Sequence, residues 1–167
     1  MSIDKKNLFP ITNISKHVID FLNKIPIFDC LSSDEVQILA THMFFSKYNE
    51  GDIVFKEGEK AVYVYFVAYG ALDVLKKSET GGQVALATLL KGRSIGEMAI
   101  IDEFPRSATV RSRTKSTLIL ISRQDFNNIL NNHTNIGIKI LKGISRLLSH
   151  NLRKTSSRLA DYMLPLS

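Results

Sequence analysis

The hydrophobic and polar positions divide the chain into three zones with different periodicities. In residues 1–31, apolar side chains recur three or four positions apart until a proline ends the run, which predicts a short amphipathic helix. The residues on that stripe are Val18, Phe21, Leu22 and Ile25, followed by Pro26. A second short helix is predicted next, because SSDE offers Ser32 or Ser33 as an N-cap before the apolar VQILA.

The middle zone, residues 42–122, has short β-rich runs separated by glycines. FVAYGALDVL contains two such runs interrupted by Gly70, and KKSETGGQ between two apolar runs is typical of a hairpin loop. RSATVRSRTKSTLILIS predicts two further strands around a polar turn. Many short strands without long helices between them predict a mostly β fold, an antiparallel jelly-roll barrel flanked by helices.

The last zone returns to helical spacing. Ser122 is a predicted N-cap for SRQDFNNIL, and after the Asn131-Asn132 break a long helix is predicted from Thr134 to Tyr162. Its apolar face consists of Leu141, Ile144, Leu148, Leu152, Thr155, Leu159 and Met163. That face either packs on the helix's own barrel or forms a seam with a second copy of the chain.

With 167 residues, 44% of them hydrophobic, the chain is long enough to bury a core without disulfides or metals. The patterning predicts a helical leader (1–31), a barrel with short flanking helices (32–131) and a C-terminal lid or dimerisation helix (132–167). The N-terminus lacks the apolar segment of a signal peptide, and no run approaches ~18 apolar residues. A cytoplasmic protein without a transmembrane segment is therefore expected.

The net charge of +6 is concentrated near the C-terminus. Between His133 and Ala160 no acid occurs, and the bases are Lys139, Lys142, Arg146, Arg153, Lys154 and Arg158. Such a stripe can attract nucleic acid, anionic lipid or an acidic protein. We favour a solvated helix face, because no aromatic residues alternate with the bases as binding to single strands prefers.

Sequence signals for catalysis or for a metal are weak. The histidines His17, His42, His133 and His150 form no three-ligand set, and the single Cys30 excludes a cysteine cluster. The chain has no GxSxG, and GRSIGE lacks the lysine of a P-loop. We therefore expect no catalytic residue, no metal and no cofactor.

The stretch GEMAIIDEFPRSATV, which begins at Gly96, has the features of an anion site. Gly96 lets the backbone approach a ligand closely, and MAII predicts one helical turn whose free N–H groups attract a phosphate. The small Ala99 leaves that approach open. Arg106 can bind phosphate oxygens with a charge-assisted contact, while Ser107 adds a hydroxyl and Ala108 a backbone N–H.

Glu97 and Arg106 cannot act as an acid–base couple, because arginine stays protonated in proteins. They form either an ion pair or two parts of a ligand site, and the ordered set of small residues around them favours the ligand site. A carboxylate can accept a hydrogen bond from a sugar hydroxyl that lies beyond the phosphate. The set suits a molecule with one phosphate charge and a neighbouring ribose hydroxyl, as in a cyclic mononucleotide.

This stretch resembles the phosphate-binding cassette of cyclic nucleotide-binding domains, which occur in catabolite activator proteins, regulatory subunits of cAMP-dependent protein kinase and cyclic nucleotide-gated channels. IPIFDCLSSDEV, YNEGDIVFKEGEKAVYVYFVAYGALDVL and SRQDF resemble other parts of the family in the same order, over residues 25–162. The resemblance implies that Glu97 binds the ribose 2′-hydroxyl and Arg106 the cyclic phosphate. It implies that the phosphate end is lined by Gly96, Met98, Ala99, Ser107 and Ala108. It matches apolar positions around the base to Val74, Leu86 and Leu89, for which a role in the barrel core is the alternative.

The helix residues that meet the base depend on how LSHNLRKTSSRLAD is aligned with the family's C-terminal helix. Thr155 and Ser156 contact the base if about one extra helical turn precedes them, and Asn151 and Leu152 if it does not. We favour Thr155 and Ser156. Residues that could instead cap the base by stacking, or remain exposed on the helix, are Arg153, Arg158 and Tyr162.

The resemblance predicts a cyclic-nucleotide sensor that is not an enzyme. We favour cAMP over cGMP, because the family's cAMP readers more often carry Ala or Ser at the position of Ser107 and its cGMP readers Thr. Closure of the helix over the base would signal to a second protomer in a homodimer, to an unidentified effector protein, or through the leader. We expect no helix-turn-helix of the activator type, because only five residues follow Tyr162 in this sequence. The alternative is a DNA- or partner-binding regulator with the barrel as scaffold and the basic helix as contact surface, although nucleic acid is not the favoured partner.

Overall fold

The computed structural model describes residues 8–11, 14–78 and 81–163. Its helices are α1 (Lys16–Leu22), α2 (Ser33–Thr41), α3 (Met98–Ile101), α4 (Arg123–Asn132) and α5 (Thr134–Tyr162), with a 3₁₀ turn at Pro26–Phe28. Its strands are β1 (Phe9–Pro10), β2 (Phe44–Tyr48), β3 (Ile53–Phe55), β4 (Tyr63–Tyr69), β5 (Ala71–Lys77), β6 (Gln83–Leu90), β7 (Ser94–Ile95), β8 (Thr109–Ser112) and β9 (Ser116–Ser122). Parts of the predicted leader (1–7, 12–13), of the hairpin loop (79–80) and of the C-terminal segment (164–167) lie outside the described residues.

The strands form two antiparallel sheets, and the predicted jelly-roll class with flanking helices is confirmed. One sheet has five strands in the order β1-β2-β9-β4-β7, and the other has four in the order β3-β8-β5-β6. β7 pairs with β4 in the first sheet, whereas β8 pairs with β3 and β5 in the second. The segment 96–108 between β7 and β8 therefore carries the chain from one sheet to the other.

Two apolar clusters hold these layers together. The first packs the helices against the five-stranded sheet and includes Phe28, Phe66 and Phe126, each at most 2% exposed. The second lies on strands of both sheets and includes Tyr65, Leu72 and Leu118. Strand β4, which lies between β9 and β7, contributes alternate residues to the two clusters, because successive side chains point to opposite faces of a strand.

The N-terminal segment contains the predicted helices and one unpredicted strand. α1 ends at Leu22 rather than running to Pro26, which instead opens the 3₁₀ turn. Ser32 caps α2 through a complete capping box with Glu35, as SSDE indicates. The two-residue β1 pairs with β2, and Phe9 stacks on Phe45 with ring centroids 5.1 Å apart.

α5 has the predicted bounds, and its first half packs on its own domain. Ile136, Ile140 and Ile144 are buried among the other helices. Gly143 lies directly against the 3₁₀ turn, where a Cβ at this position would come within 2.0 Å of the Ile27 carbonyl oxygen.

Two ion pairs support that packing. The Lys139 ammonium lies 2.7 Å from the Glu35 carboxylate, and the Arg146 guanidinium lies 2.6 Å from that of Asp29. Two bases of the predicted basic stripe are thus already paired with acids of the N-terminal segment.

The second half of α5, residues 149–163, has every side chain exposed. Of the predicted apolar face, Ile144 is buried and Leu141 and Leu148 are partly buried, whereas Leu152 and Leu159 are more than 60% exposed. Packing of the helix on its own barrel is therefore observed for its first half only. The dimer seam stays a prediction.

Candidate functional site

A cavity of about 250 Å³ lies beside the segment 96–108. Nine of the twelve binding residues predicted from the sequence line it, namely Val74, Leu89, Gly96, Glu97, Met98, Ala99, Arg106, Ser107 and Ala108. The three that do not are Leu86, Thr155 and Ser156. The segment 96–108 and the strands β5 and β6 thus contribute predicted residues to one cavity.

Gly96 makes the tight entry into this segment possible. Its φ of +78° lies in the region that favours glycine, and a Cβ there would come within 2.3 Å of Nη1 of Arg106. The helical turn that follows is α3, as predicted. The Ala99 N–H, however, donates to the Gly96 carbonyl at 3.0 Å and is not free, which differs from the expectation for this turn.

Arg106 is held in place by backbone hydrogen bonds to the loop at residues 58–59 and by two aromatic rings. Its backbone N–H donates to the Glu59 carbonyl at 2.8 Å, and its own carbonyl accepts from the Gly58 N–H at 2.9 Å. Its guanidinium carbon lies 4.1 Å from the centroid of the Phe55 ring and 5.6 Å from that of Tyr65. These rings favour a planar cation over their faces.

The Arg106 guanidinium is buried and incompletely satisfied. Arg106 is 6% exposed, and Nη2 donates to the Tyr63 carbonyl at 2.7 Å. Nε is buried and has no hydrogen-bond acceptor among the described residues. Burial lowers the pKa of Arg106 from its ordinary value, which marks the cost of keeping this charge out of water. A buried donor without an acceptor is rare in folded proteins and points to a missing acceptor.

Glu97 does not supply that acceptor. Within the described ranges, the ion pairs closer than 4.0 Å do not include one between Glu97 and Arg106. Burial raises the pKa of the Glu97 carboxyl, and the charge of Arg106 opposes this only as a smaller effect. The simple ion-pair interpretation of the two residues is therefore not supported.

The segment 96–108 is called the cassette from here on. Its end near Ser107 is held by a side-chain hydrogen bond, while the backbone N–H groups there remain available as donors. The Ser107 carbonyl accepts a hydrogen bond from the Lys76 ammonium at 2.7 Å, and that ammonium also contacts the Glu57 carboxylate at 2.6 Å. The backbone N–H groups of Ser107 and Ala108 donate to no residue in the part of the chain that the structure describes. Both residues line the cavity next to Arg106.

The apolar end of the cavity contains two of the three predicted apolar residues. Val74 and Leu89 line it, but Leu86 is 56% exposed and lies outside. Leu86 and Leu89 are three positions apart on β6, and side chains an odd number of positions apart point to opposite faces of a strand. A β-bulge also lies at Leu86, because Val74 pairs with Ala87 and Leu75 with Ala85.

α5 reaches the cavity through a residue other than the two favoured from the sequence. Asn151 lines it, whereas Thr155 and Ser156 lie farther along the exposed half of the helix. Asn151 also lines a smaller adjoining cavity of about 110 Å³, together with Glu97, Leu147 and His150. The alignment without an extra helical turn therefore describes this conformation. Arg153, Arg158 and Tyr162 are exposed and do not line either cavity.

Two aromatic residues that line the cavity were not identified from the sequence. Phe55 packs under Arg106, and Phe104 lines the mouth of the cavity with 73% of its surface exposed. A large exposed aromatic residue one position before Pro105 was the available signal for Phe104. No comparable signal marked Phe55, because its strand pattern is that of an ordinary core residue.

Comparison with known proteins agrees with the geometry of this cassette. The family described as "Cyclic nucleotide-binding domain" matches residues 45–133. This chain belongs to that family. The match includes β4 to α4 and the whole segment 96–108.

Among characterised relatives, a cAMP-dependent protein kinase regulatory subunit of Yarrowia lipolytica is 34% identical over 66% of this chain. A cGMP-dependent protein kinase of Plasmodium berghei is 34% identical over 63% of it. The aligned regions are only 28% and 12% of those relatives, so the chain spans less than a third of either. Relatives of both nucleotide specificities are thus similar to this domain.

Solved structures show the same fold over most of the chain. A cyclic nucleotide-binding domain from Methylobacillus flagellatus superposes with a TM-score of 0.79 and 27% identity, covering 91% of this chain and 86% of that one. The catabolite activator protein of Thermus thermophilus gives a TM-score of 0.73 with 25% identity, covering 81% and 62% respectively. The family domain is regulatory, and enzymes that contain it carry their catalysis elsewhere.

Two other kinds of structure are absent from the described residues. No helix among them is both long and apolar enough to cross a membrane. No group of three or more histidine, cysteine or acidic side chains in the same ranges is placed to hold a metal ion.

Proposed function

We propose that the cavity binds a cyclic mononucleotide, cAMP in preference to cGMP, and that the domain is a sensor rather than an enzyme. The observation that carries this proposal is the buried Arg106 guanidinium, whose Nε has no acceptor in the part of the chain that the structure describes. An anionic oxygen in the cavity would satisfy it. Hydrogen bonds to charged groups contribute about 1.5–3 kcal/mol each, so the phosphate end alone can supply much of a micromolar affinity.

At the phosphate end, the proposed contacts are Nε of Arg106 and the N–H groups of Ser107 and Ala108. These donors suit one singly charged phosphate. The rings of Phe55 and Tyr65 restrict the guanidinium, so little side-chain entropy is lost when the phosphate binds.

At the sugar end, Glu97 is the proposed acceptor for the ribose 2′-hydroxyl. It is half-buried at the cavity and makes no ion pair with the arginine across from it. A hydroxyl donor would stabilise the carboxylate there without neutralising it.

The proposed lid is the exposed half of α5. Its apolar side chains Leu152, Leu159 and Met163 are exposed, as are Met98, Ile101 and Phe104 of the cassette. Folding these two surfaces together over the base would bury apolar area at about 25 cal/mol per Å². In that closed form Thr155 and Ser156 remain the proposed base contacts, and Arg153, Arg158 or Tyr162 the alternatives.

The signal would pass to a second protomer or to an effector protein. A ligand shifts a two-state equilibrium only through its tighter binding to one state, so closure must add contacts to the nucleotide. The exposed apolar stripe on residues 149–163 offers a surface that differs between the two states. Homodimerisation, the effector protein and the cytoplasmic location remain predictions from the sequence.

The alternative function, a regulator that contacts DNA or a partner through the basic helix, has less support. Lys139 and Arg146 are paired with Glu35 and Asp29, which leaves fewer free cations on α5. Strongly salt-dependent binding to random DNA would favour it.

Thermal unfolding with cAMP, cGMP and AMP tests the proposal, using the wild type and Arg106→Ala. A ligand present at about 100 times its dissociation constant should stabilise the wild type by roughly 2.7 kcal/mol. We expect cAMP to shift the wild type most and to leave the variant unshifted. An unshifted wild type, or an equal shift of the variant, contradicts the proposal.

A further inference from the structure

Arg123, the first residue of α4, connects three segments of the chain by hydrogen bonds. Its backbone N–H donates to the Val62 carbonyl at 2.9 Å, immediately before β4. Its guanidinium donates to the carbonyl oxygens of Ala61 at 3.1 Å and Ala99 at 2.6 Å, and to that of Asp102. One side chain thus joins the start of β4, the cassette helix α3 and α4.

The acceptors on α3 are the carbonyl groups that a helix cannot satisfy by itself. The last carbonyls of a helix have no N–H partner within it, and α3 is only four residues long. A planar guanidinium presents several donors in a fixed fork, so it can satisfy two of these carbonyls and that of Ala61 together. Nη1 of Arg123 also lies 2.9 Å from the Glu103 carboxylate. The Glu103 side chain is 89% exposed, so this ion pair contributes little.

Arg123 does not line the cavity itself, but the three residues whose carbonyl groups its guanidinium binds do. They are Ala61, Ala99 and Asp102. Because α3 is too short to hold its own orientation, its position depends on what anchors it. Lys76 anchors the other end of the cassette through the Ser107 carbonyl.

We propose that Arg123 is a positioning residue for ligand binding, which orients α3 and so places Glu97 relative to Arg106. The link to affinity rests on the proposed function. The anchoring of α3 does not depend on it and can be measured without any ligand.

The experiment compares Arg123→Gln with Arg123→Lys, Glu103→Gln and the control Arg113→Gln. Arg113 is a suitable control because it is an arginine that makes its polar contact outside the cassette. Its Nη1 donates to the Thr88 hydroxyl at 3.0 Å. Hydrogen exchange of the unliganded proteins and the dissociation constant for cAMP are measured for each.

For Arg123→Gln we expect faster exchange at the amides of Ala99, Ile100 and Asp102, which are hydrogen-bonded within the cassette. The amides of β9 in the core should exchange as in the wild type. The affinity for cAMP should fall about tenfold, as loss of at least one charged hydrogen bond predicts. Lysine should recover part of the affinity, and Glu103→Gln and Arg113→Gln should bind within about twofold of the wild type.

Unchanged exchange in the cassette overturns the anchoring. Faster exchange with an unchanged cAMP affinity overturns the positioning role, and so does an equal affinity loss in Arg113→Gln. If Arg123→Gln does not fold, hydrogen exchange and cAMP affinity are measured for Arg123→Lys instead. Lysine keeps the positive charge but lacks the planar guanidinium that binds several carbonyl groups together. If the wild type itself binds no cyclic nucleotide, the proposed function fails while the exchange data still decide whether Arg123 anchors α3.

Discussion

The phosphate end and the base end of the cavity are built in different ways. The phosphate end is formed by one contiguous segment, in which Gly96, α3 and Arg106 are fixed by turns, rings and hydrogen bonds. The base end combines Val74 and Leu89 of the second sheet with Asn151 of α5, and the helix beyond that residue is fully exposed. The proposed phosphate end is held by contacts that the unliganded structure already makes, whereas the proposed base end includes a helix whose second half is exposed.

This difference suggests a division between affinity and signalling. A preorganised site binds without ordering its own side chains, so most of the affinity should come from the phosphate end. The base end offers little fixed surface, and contacts made there only in a closed state are the ones that can shift a conformational equilibrium. Changes at the two ends should therefore have different consequences.

The largest effect is expected at Gly96. Gly96→Ala forces an L side chain into a positive φ and brings its Cβ against Nη1 of Arg106, so both stability and cAMP affinity should fall. Backbone strain of this kind costs about 1–3 kcal/mol, and displacement of the guanidinium adds to the loss of affinity. Chemical denaturation and calorimetric titration measure the two losses.

Gly92→Ala is the matched control, because Gly92 has a φ of +87° but nothing within 4 Å of its Cβ position. It should lose stability without a specific loss of affinity. Equal affinity losses in the two variants would mean that the contact with Arg106 is unimportant.

A smaller effect is expected from shortening the lid. A chain that ends at Lys154 should keep its fold, because residues 149–163 are exposed and support no core. It should bind cAMP several-fold more weakly, by about 1 kcal/mol for each lost hydrogen bond to the base. Isothermal titration of the two chains measures this, and an unchanged affinity would remove Thr155 and Ser156 from the site.

The pH dependence of stability and of cAMP affinity should show whether Glu97 contacts the ligand or has only a structural role. Because burial raises the pKa of Glu97 in the folded protein, the folded state holds its proton more tightly than the unfolded state. This stabilisation is fully present below the ordinary pKa of 4.5 and is lost as pH rises through the higher folded pKa. Stability of the unliganded wild type relative to Glu97→Gln should therefore decrease across that window.

Ligand binding should show the opposite trend. The proposed acceptor of the 2′-hydroxyl is the carboxylate, so cAMP affinity should rise over the same window as Glu97 ionises. A 2′-deoxy analogue should not show this rise. Parallel pH profiles for cAMP and the 2′-deoxy analogue would contradict the assigned role.

The last comparison separates Leu89 from Leu86, three positions away on β6. Leu89→Ala removes apolar lining from the cavity and should weaken cAMP binding, by up to about 2 kcal/mol if the base covers it. Leu86→Ala should leave the affinity unchanged within about 0.5 kcal/mol, because Leu86 lies outside the cavity on the exposed bulge. A larger loss for Leu86 than for Leu89 would contradict the placement of Leu86 outside the site.

The comparison of the two ends also explains how much the sequence could predict. Local signals identified Ser32 and Ser122 as caps, the bounds of α5, and α3 between Glu97 and Arg106, because each depends on neighbours a few residues apart. The phosphate end belongs to this group, since a single segment carries its chemistry.

The remaining features depend on tertiary contacts that periodicity does not encode. The bulge at Leu86 arises from pairing between β5 and β6, and the bonds of Arg123 reach carbonyl groups that bear no side-chain signature. The close approach of Gly143 on α5 to the Ile27 carbonyl likewise joins residues far apart in the sequence. Only a folded structure reveals these positions.

The most direct test of the phosphate site is the NMR signal of Nε–H in Arg106. With ¹⁵N-labelled protein, we predict that this resonance moves on addition of cAMP and shows coupling to ³¹P across a hydrogen bond, while Nε–H of Arg123 moves much less. Saturating cAMP that leaves the Arg106 signal unchanged, or that moves it without phosphorus coupling and equally with Arg123, would contradict the assignment of the buried guanidinium to the phosphate.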